Sequence, residues 1–270
     1  MRISNKGKYY GAKNIELSLD KILLSQYNYS IETTPWHYHE NPYFMFVLHG
    51  EMIDNNKKVQ SYLPAGSLMF NNWQEQHFGK RHSAEAAGFH VEFERSWIKE
   101  NSIDRKIFEG SQKIDDPNIQ LLLSKLYYEF LIADKYSEVA INLLLLRICD
   151  SIGLRNNTVE KTVPSWVNRL KEILHYDSTK FSLKSLSEEL GVHPVHISRA
   201  APKYLSVSLG EYVRKLKLRK AMSLLLDSNL SLVEIAYQAG FSDQSNFNHV
   251  FKSYYKLSPG SFRRKVRIKT

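Results

Sequence analysis

Apolar residues change their spacing once along the chain. Between residues 43 and 94 they fall in short runs rich in aromatic and β-branched side chains: "YFMFVLHG" (43–50), "KKVQSYL" (57–63), "GSLMF" (66–70) and "GFHVEFE" (88–94). Such runs predict strands. In the last, Phe89, Val91 and Phe93 share one face by the two-residue period. "DNNK" (54–57) and "LPAG" (63–66) read as turns. No helix-length stretch separates these strands, so the pattern predicts an antiparallel barrel or sandwich rather than an α/β sheet.

After Asp115 the spacing turns helical. Asp116-Pro117 supplies an N-cap followed by proline at the first helical position, predicting a helix over 118–133. Ser137 can cap a second helix over 138–152, with Gly153 just past its end. Within it "AINLLLL" is apolar nearly all round. That suits a helix buried against its own sheet, or a dimer seam. "RNNTVEKT" (155–162) has no apolar period and reads as a linker. The expected organisation is therefore a barrel over 1–114, a helical dimerisation and connector region over 115–155, a linker over 156–163 and a helical domain over 164–270.

Two turns punctuate the helical domain. Ser231-Leu-Val-Glu234 is a capping box that starts a helix at 232, with Leu232, Ile235, Ala236 and Ala239 as its apolar face. Gly240 ends it, since glycine takes positive φ without strain. Ser242 or Asp243 then caps a helix reaching about Tyr255, which buries Phe247, Val250 and Phe251. Its free face carries Gln244, Ser245, Asn248 and His249, donors and acceptors short enough to read base edges. Two short helices joined by a glycine turn form a helix-turn-helix pattern. The pattern also occurs earlier. Ser182 caps a helix with Leu183, Leu186 and Leu190 on its apolar face, Gly191 ends it, and "VHPVHISRAAPKYL" (192–205) follows. Ser208-Leu-Gly-Glu211 opens a long helix over about 209–227 with a basic face.

Charge follows the same division. Residues 163–270 hold 18 Lys+Arg against 8 Asp+Glu, and residues 1–162 hold 19 against 20. A basic half beside a neutral one favours a polyanion partner for the basic half. The single cysteine, Cys149, allows no intramolecular disulfide and suits a reducing, cytoplasmic setting. The opening "MRISNKGKYYGAK" carries no apolar core of signal-peptide length, and no run is long enough to span a bilayer.

The stretch "SLVEIAYQAGFSDQSNFNHVFKSYYKLSPGSFRR" (231–264) resembles the C-terminal signature of AraC/XylS-type transcription regulators. The likeness lies in Ile235-Ala236, Gly240-Phe241, Ser242, Phe247, Phe251-Lys252, Ser258-Pro259 and Phe262-Arg263. The resemblance implies seven helices in two helix-turn-helix subdomains, whose recognition helices enter successive major grooves of double-stranded DNA. It places Val195, Ser198 and Arg199 at reading positions of the first recognition helix. Gln244, Ser245, Asn248 and His249 take those of the second, with Lys252 at a phosphate. The chain departs from the pattern at Ala200 or Ala201, where a bulky apolar residue is common, and at Ser206 and Lys256, where glycine is common. Pro202 should end or kink the first recognition helix.

The N-terminal half, through "HYHENPYFMFVLHG" (37–50) and "LPAGSLMF" (63–70), resembles the cupin-like barrel often fused to this module. Trp36, His37, His39, Tyr43, Met45, His77, Phe89 and His90 are candidates for lining a small-molecule pocket. His37, His39 and His77 could make a metal set, but it would lack the usual acid, so no metal or cofactor is expected. The expected protein is a two-domain, non-enzymatic, sequence-specific DNA-binding regulator. It answers a small effector, forms a homodimer, and has RNA polymerase as a further partner and no membrane. The alternatives are a metal-dependent cupin enzyme with a DNA-binding tail, and a constitutive DNA-binding dimer without ligand.

Overall fold

The computed structural model describes residues 2–73, 75–159, 163–176 and 182–269. The chain divides into two compact units, one built mainly from Met1–Gly153, the other from Leu154–Leu225 and Asn229–Ser261.

The first unit is two facing sheets. One has the order β1 (Arg2–Ser4), β4 (His37–His39), β9 (His77–Arg81), β6 (Glu51–Asn56), β7 (Gln60–Pro64). The other runs β11 (Gln112–Lys113), β8 (Leu68–Asn71), β5 (Tyr43–His49), β10 (Ala87–Phe93), β3 (Ile22–Asn28), β2 (Ala12–Leu19). All pairs are antiparallel except β1 with β4. The expected strands are present as β5, β7, β8 and β10. The expected turn at 54–57 is corrected. Asp54 and Asn56 lie in β6, whose buried positions Met52, Asp54 and Asn56 alternate with less buried ones. Asp and Asn are ordinary turn residues, but here the strand period puts them inside the barrel.

Alternation also sorts β10. Phe89 is 0% exposed and packs against Tyr127 and Phe130 of α2 (Pro117–Ile132), at 5.0 and 4.9 Å between ring centres. Asp116 caps α2 by accepting from the amides of Asn118 and Ile119. Before it comes α1 (Arg95–Glu100), and after it α3 (Ser137–Val159). Gly153 does not end α3. A Cβ there would meet Ile107 Cγ2 at 3.4 Å, so the glycine admits a close neighbour mid-helix. The helix continues into the stretch expected as linker. Residues 160–162 of that stretch lie outside the described residues.

The second unit is helical: α4 (Ser165–Tyr176), α5 (Leu183–Leu190), α6 (Pro194–Leu205), α7 (Leu209–Asp227), α8 (Leu232–Gln238) and α9 (Gln244–Tyr255); α10 (Pro259–Lys269) follows in the chain and from Phe262 is counted with the first unit. Leu170, Leu174, Leu186, Ile197, Ala201, Leu205 and Leu209 form one buried cluster around α5 and α6. Ile235, Ala236, Ala239, Phe241, Phe247, Phe251 and Tyr255 are buried around α8 and α9. Ala200 is half-buried and Ala201 buried, so small side chains complete the first cluster. Among the described residues no helix is long and apolar enough to cross a membrane.

Candidate functional site

In the helical unit the site begins with helix starts. Ser182 and Ser231 both form capping boxes; Ser231 Oγ accepts the Glu234 amide while Glu234 Oε2 accepts the Ser231 amide. Gly191 and Gly240 follow at φ 63° and 86°, the left-handed region that glycine enters freely. Asp243 caps α9 by accepting from the Asn246 amide at 2.7 Å, and His193 caps α6 through the Val195 amide. With its start set, each second helix turns its apolar side inward and a polar row outward.

On α6 that row is Val195, Ser198 and Arg199, all exposed, with Val195 48% exposed. On α9 it is Ser245, His249 and Lys252, exposed, with Gln244 and Asn248 half-buried beside them. The residues expected at reading positions thus lie on outer helix faces, except that the Oδ1 of Asn248 is buried without a partner. Val250 is half-buried, not core as expected; Phe247, Phe251 and Tyr255 carry that face. Pro202 does not end α6, which continues to Leu205. Ser198 and Pro202 are both exposed, so the carbonyl that proline leaves without a donor faces water. Ser206 and Lys256, in place of glycine, close α6 and α9 at φ 61° and 63°. On α7, Glu211 accepts from the Tyr254 hydroxyl at 2.5 Å and pairs with Arg214 at 3.0 Å, which ties α9 to the connecting helix.

In the barrel, His37, His39, Tyr43, Met45, His77 and His90 line a cavity of about 50 Å³ between the sheets. Two candidates do not. Phe89 faces α2, because its neighbour His90 takes the inward side. Trp36 is 45% exposed with its ring against Phe78, beyond the end of the buried strand. Sequence reading missed Tyr9, Tyr10, Tyr29, Met52, Asp54 and Arg81, which also line the cavity. For Met52 and Asp54 the missed signal was alternation within 51–56.

Burial dominates the electrostatics. It holds His39 well below the usual imidazole range, helped by His77, His37 and His90 nearby. It pulls His77 down to about 4 and His90 down to about 3. It pushes the phenols of Tyr9, Tyr29 and Tyr43 up and Asp54 up to about 7. Burial also raises Glu92, against donors from Asn41, Gly7 and Tyr9. His90 stacks on Tyr9 with ring centres 3.7 Å apart, and its Nε2 lies 3.0 Å from the Tyr29 hydroxyl.

One nitrogen from each of His37, His39 and His77 falls within 4.8 Å of the others. His37 Nδ1 faces the Pro35 carbonyl at 2.8 Å and His77 Nδ1 faces Asn71 Oδ1 at 3.0 Å. The Pro35 carbonyl fixes the proton of His37 on Nδ1, which leaves its Nε2 as an acceptor 3.2 Å from His77 Nε2. Two ligands on one tetrahedral ion would be spaced at about 3.3 Å. The donor set therefore fits a three-nitrogen metal site, with outer partners in place for His37 and His77.

The AraC-like ligand binding domain family matches residues 22–147, and a helix-turn-helix domain family matches residues 186–265. The Msm operon regulatory protein of Streptococcus mutans is 27% identical over 104 residues, 38% of this chain and 37% of that protein. The probable transcription factor PqrA of Proteus vulgaris is 32% identical over 81 residues, 30% of this chain and 66% of that protein. In both cases the chain covers less than two thirds of the relative. Among solved structures, the C-terminal domain of the response regulator yesN from Fusobacterium nucleatum is 33% identical. It covers 36% of this chain and 93% of that one, with a TM-score of 0.33.

Proposed function

This chain belongs to the AraC family of helix-turn-helix transcription regulators, and we propose that α6 and α9 read two successive major grooves of one operator under the control of an effector in the barrel. The observation that carries this is the outward polar row repeated on α6 and α9, each backed by its own buried cluster, in the basic half of the chain. Arg199 bonds guanine O6 and N7 with its fork, and Val195 meets a thymine methyl. Ser198 reads beside them. Gln244, Ser245, Asn248 and His249 read the neighbouring tract, and Lys252 holds a phosphate.

The barrel cavity suits a small organic effector, having tyrosine walls with histidines, Asp54 and Arg81 converging on it. Control follows if the effector binds one arrangement of the protein better than another. The protein acts in the cytoplasm as a homodimer joined through 115–155, with RNA polymerase as a further partner, and it is a binder rather than an enzyme.

A second reading comes from the histidine triad: a metal-dependent chemistry in the barrel. His37, His39 and His77 would hold the ion, which would supply a Lewis acid there. Metal content of the purified protein separates the two. Near-stoichiometric transition metal, lost in His37→Ala with His39→Ala, favours the second.

The test of the main reading is protection of promoter fragments by the full chain, with and without a panel of metabolites. Two adjacent major-groove tracts should be protected, with affinity falling steeply as salt rises, because cation–phosphate contacts release counterions. Salt-insensitive or sequence-indifferent protection overturns it.

A further inference from the structure

Among the described residues two carboxyl groups, Glu92 and Asp54, are buried inside the barrel, and the protein furnishes hydrogen-bond donors to only one of them. Glu92 accepts from the Gly7 amide at 2.8 Å, the Asn41 side chain at 3.0 Å and the Tyr9 hydroxyl at 3.1 Å. Asp54 is 5% exposed, and its Oδ1 has no hydrogen-bond partner. His77 Nδ1 lies 3.6 Å from Asp54 Oδ2, beyond hydrogen-bond reach, and is engaged with Asn71. Among the described residues no lysine or arginine pairs with Asp54. An inward carboxyl without donors is costly to bury. A ligand that brings its own donors would remove that cost.

The surroundings select the ligand's charge. Asp54 is the one carboxyl among the described residues lining the cavity. Tyr29 and Tyr43 line the same cavity, and after burial the Asp54 carboxyl is the next cause of the rise in both phenols. Tyrosine faces attract cations. The cavity's volume of about 50 Å³ limits size. At about 10–15 Å³ for each water-sized group, it takes roughly four.

We propose that Asp54 anchors a small organic cation in this cavity, a protonated amine whose N–H groups take Oδ1 while its carbons lie against Tyr29 and Tyr43. This rests on reading the cavity as the effector site, and it names the class of effector. The ammonium could belong to a simple amine or to an amino acid. Arg81 decides between them. It lines the same cavity, lies two residues from Gly79, the strand partner of Asp54, and its Nε is buried without a partner. Its guanidinium also donates to the Ala84 carbonyl.

The full chain, with chelator present, is titrated with ethylammonium, glycine, ethanol and acetate at constant ionic strength. Melting temperature, calorimetry and operator affinity are read together. Ethylammonium or glycine should raise the melting temperature where ethanol and acetate do not. Asp54→Asn, which keeps the shape and removes the charge, should weaken amine binding at least about tenfold. Glycine binding tighter than ethylammonium, with the advantage lost in Arg81→Gln, assigns the amino-acid source. Ethanol matching ethylammonium on the unaltered chain overturns the proposal without any variant, as does amine binding that survives Asp54→Asn. If ethanol or acetate alone binds and changes operator affinity, the effector reading stands and the cation falls. Asp54-dependent amine binding that leaves operator affinity unchanged keeps the cation site and removes the effector role. If no probe binds, the cation falls, and the effector reading is decided by the metabolite panel on promoter protection.

Discussion

In the barrel the candidate groups are buried histidines, tyrosines and Asp54 turned toward one cavity, whereas in the helical module they form exposed rows along α6 and α9. The two arrangements solve opposite problems. A surface that reads DNA must offer donors and acceptors that water satisfies until the groove replaces it, so little folding stability is at stake in the row. A cavity that selects a small molecule must keep polar groups away from water in advance, so desolvation sets their protonation. Substitutions should therefore separate stability from function in the helical module and couple them in the barrel.

The largest effect tests the backing of the α9 row proposed to read DNA. Phe247 is fully buried behind it. Phe247→Ala should cost about 3–5 kcal/mol by denaturant unfolding and abolish operator binding with it. Retained operator binding at unaltered stability would show that the row needs no such backing.

The next effect is acid lability of the barrel. His77 is held at about 4 against an ordinary 6.5. Below 6.5 the unfolded chain takes a proton that the folded barrel refuses, so stability should fall as pH drops from 6.5 to 4, by up to about 3 kcal/mol from this group. Asp54 works in the opposite sense. Its folded value of about 7 lies above 3.8, so its contribution is present below 3.8 and lost as pH rises through 7. Asp54→Asn should thus steepen the acid loss, read as unfolding midpoints across the pH range. An unchanged slope would mean that the carboxyl is not held neutral.

Arg199→Ala comes third. It should leave stability within about 0.5 kcal/mol. At the cognate site it should cost about 1–3 kcal/mol of binding and relax one base position, as read by competition with single-base variants. Lys252→Ala should weaken all sequences alike.

Smaller still is the release of backbone strain at the ends of α6 and α9. Ser206 and Lys256 take φ 61° and 63°, where a side chain costs roughly 1 kcal/mol or more and glycine nothing. Ser206→Gly and Lys256→Gly should each raise the melting temperature, by a stabilisation of roughly 0.5–1 kcal/mol after glycine's own entropy loss.

The smallest change in stability belongs to α3. Leu145 is buried and Leu144 half-buried, while Leu143 is 56% exposed, on the side of Tyr136 and Val139. Leu143→Glu should leave folding within about 0.5 kcal/mol and give soluble monomers by light scattering. Dimers that survive it place the seam elsewhere. Leu145→Glu should unfold the barrel unit instead.

Much of the helical module could be read from residues 182–264 alone. Capping boxes, glycine turns and the 3.6-residue period are local, so Ser231 with Glu234, Gly240 at positive φ, and the split between Phe247 and His249 were all legible before folding. The basic excess was legible too, because charge adds up without contacts. The barrel's interior was not. Alternation along β10 says that Phe89 and His90 face opposite ways, but not which way is inward. Pairing decided that, setting His90 beside Met45 and sending Phe89 to α2. Likewise Asp54 reads locally as a turn. Only its register opposite Gly79, with His77 opposite His37 one strand away, brings it into the cavity wall. Strand pairing joins residues far apart in the chain, and the choice of inner face depends on what covers the outer one. The two-residue period along 51–56 shows that Met52, Asp54 and Asn56 share a face, but only pairing shows which face is inner, and for β10 the helix α2 covers the outer one.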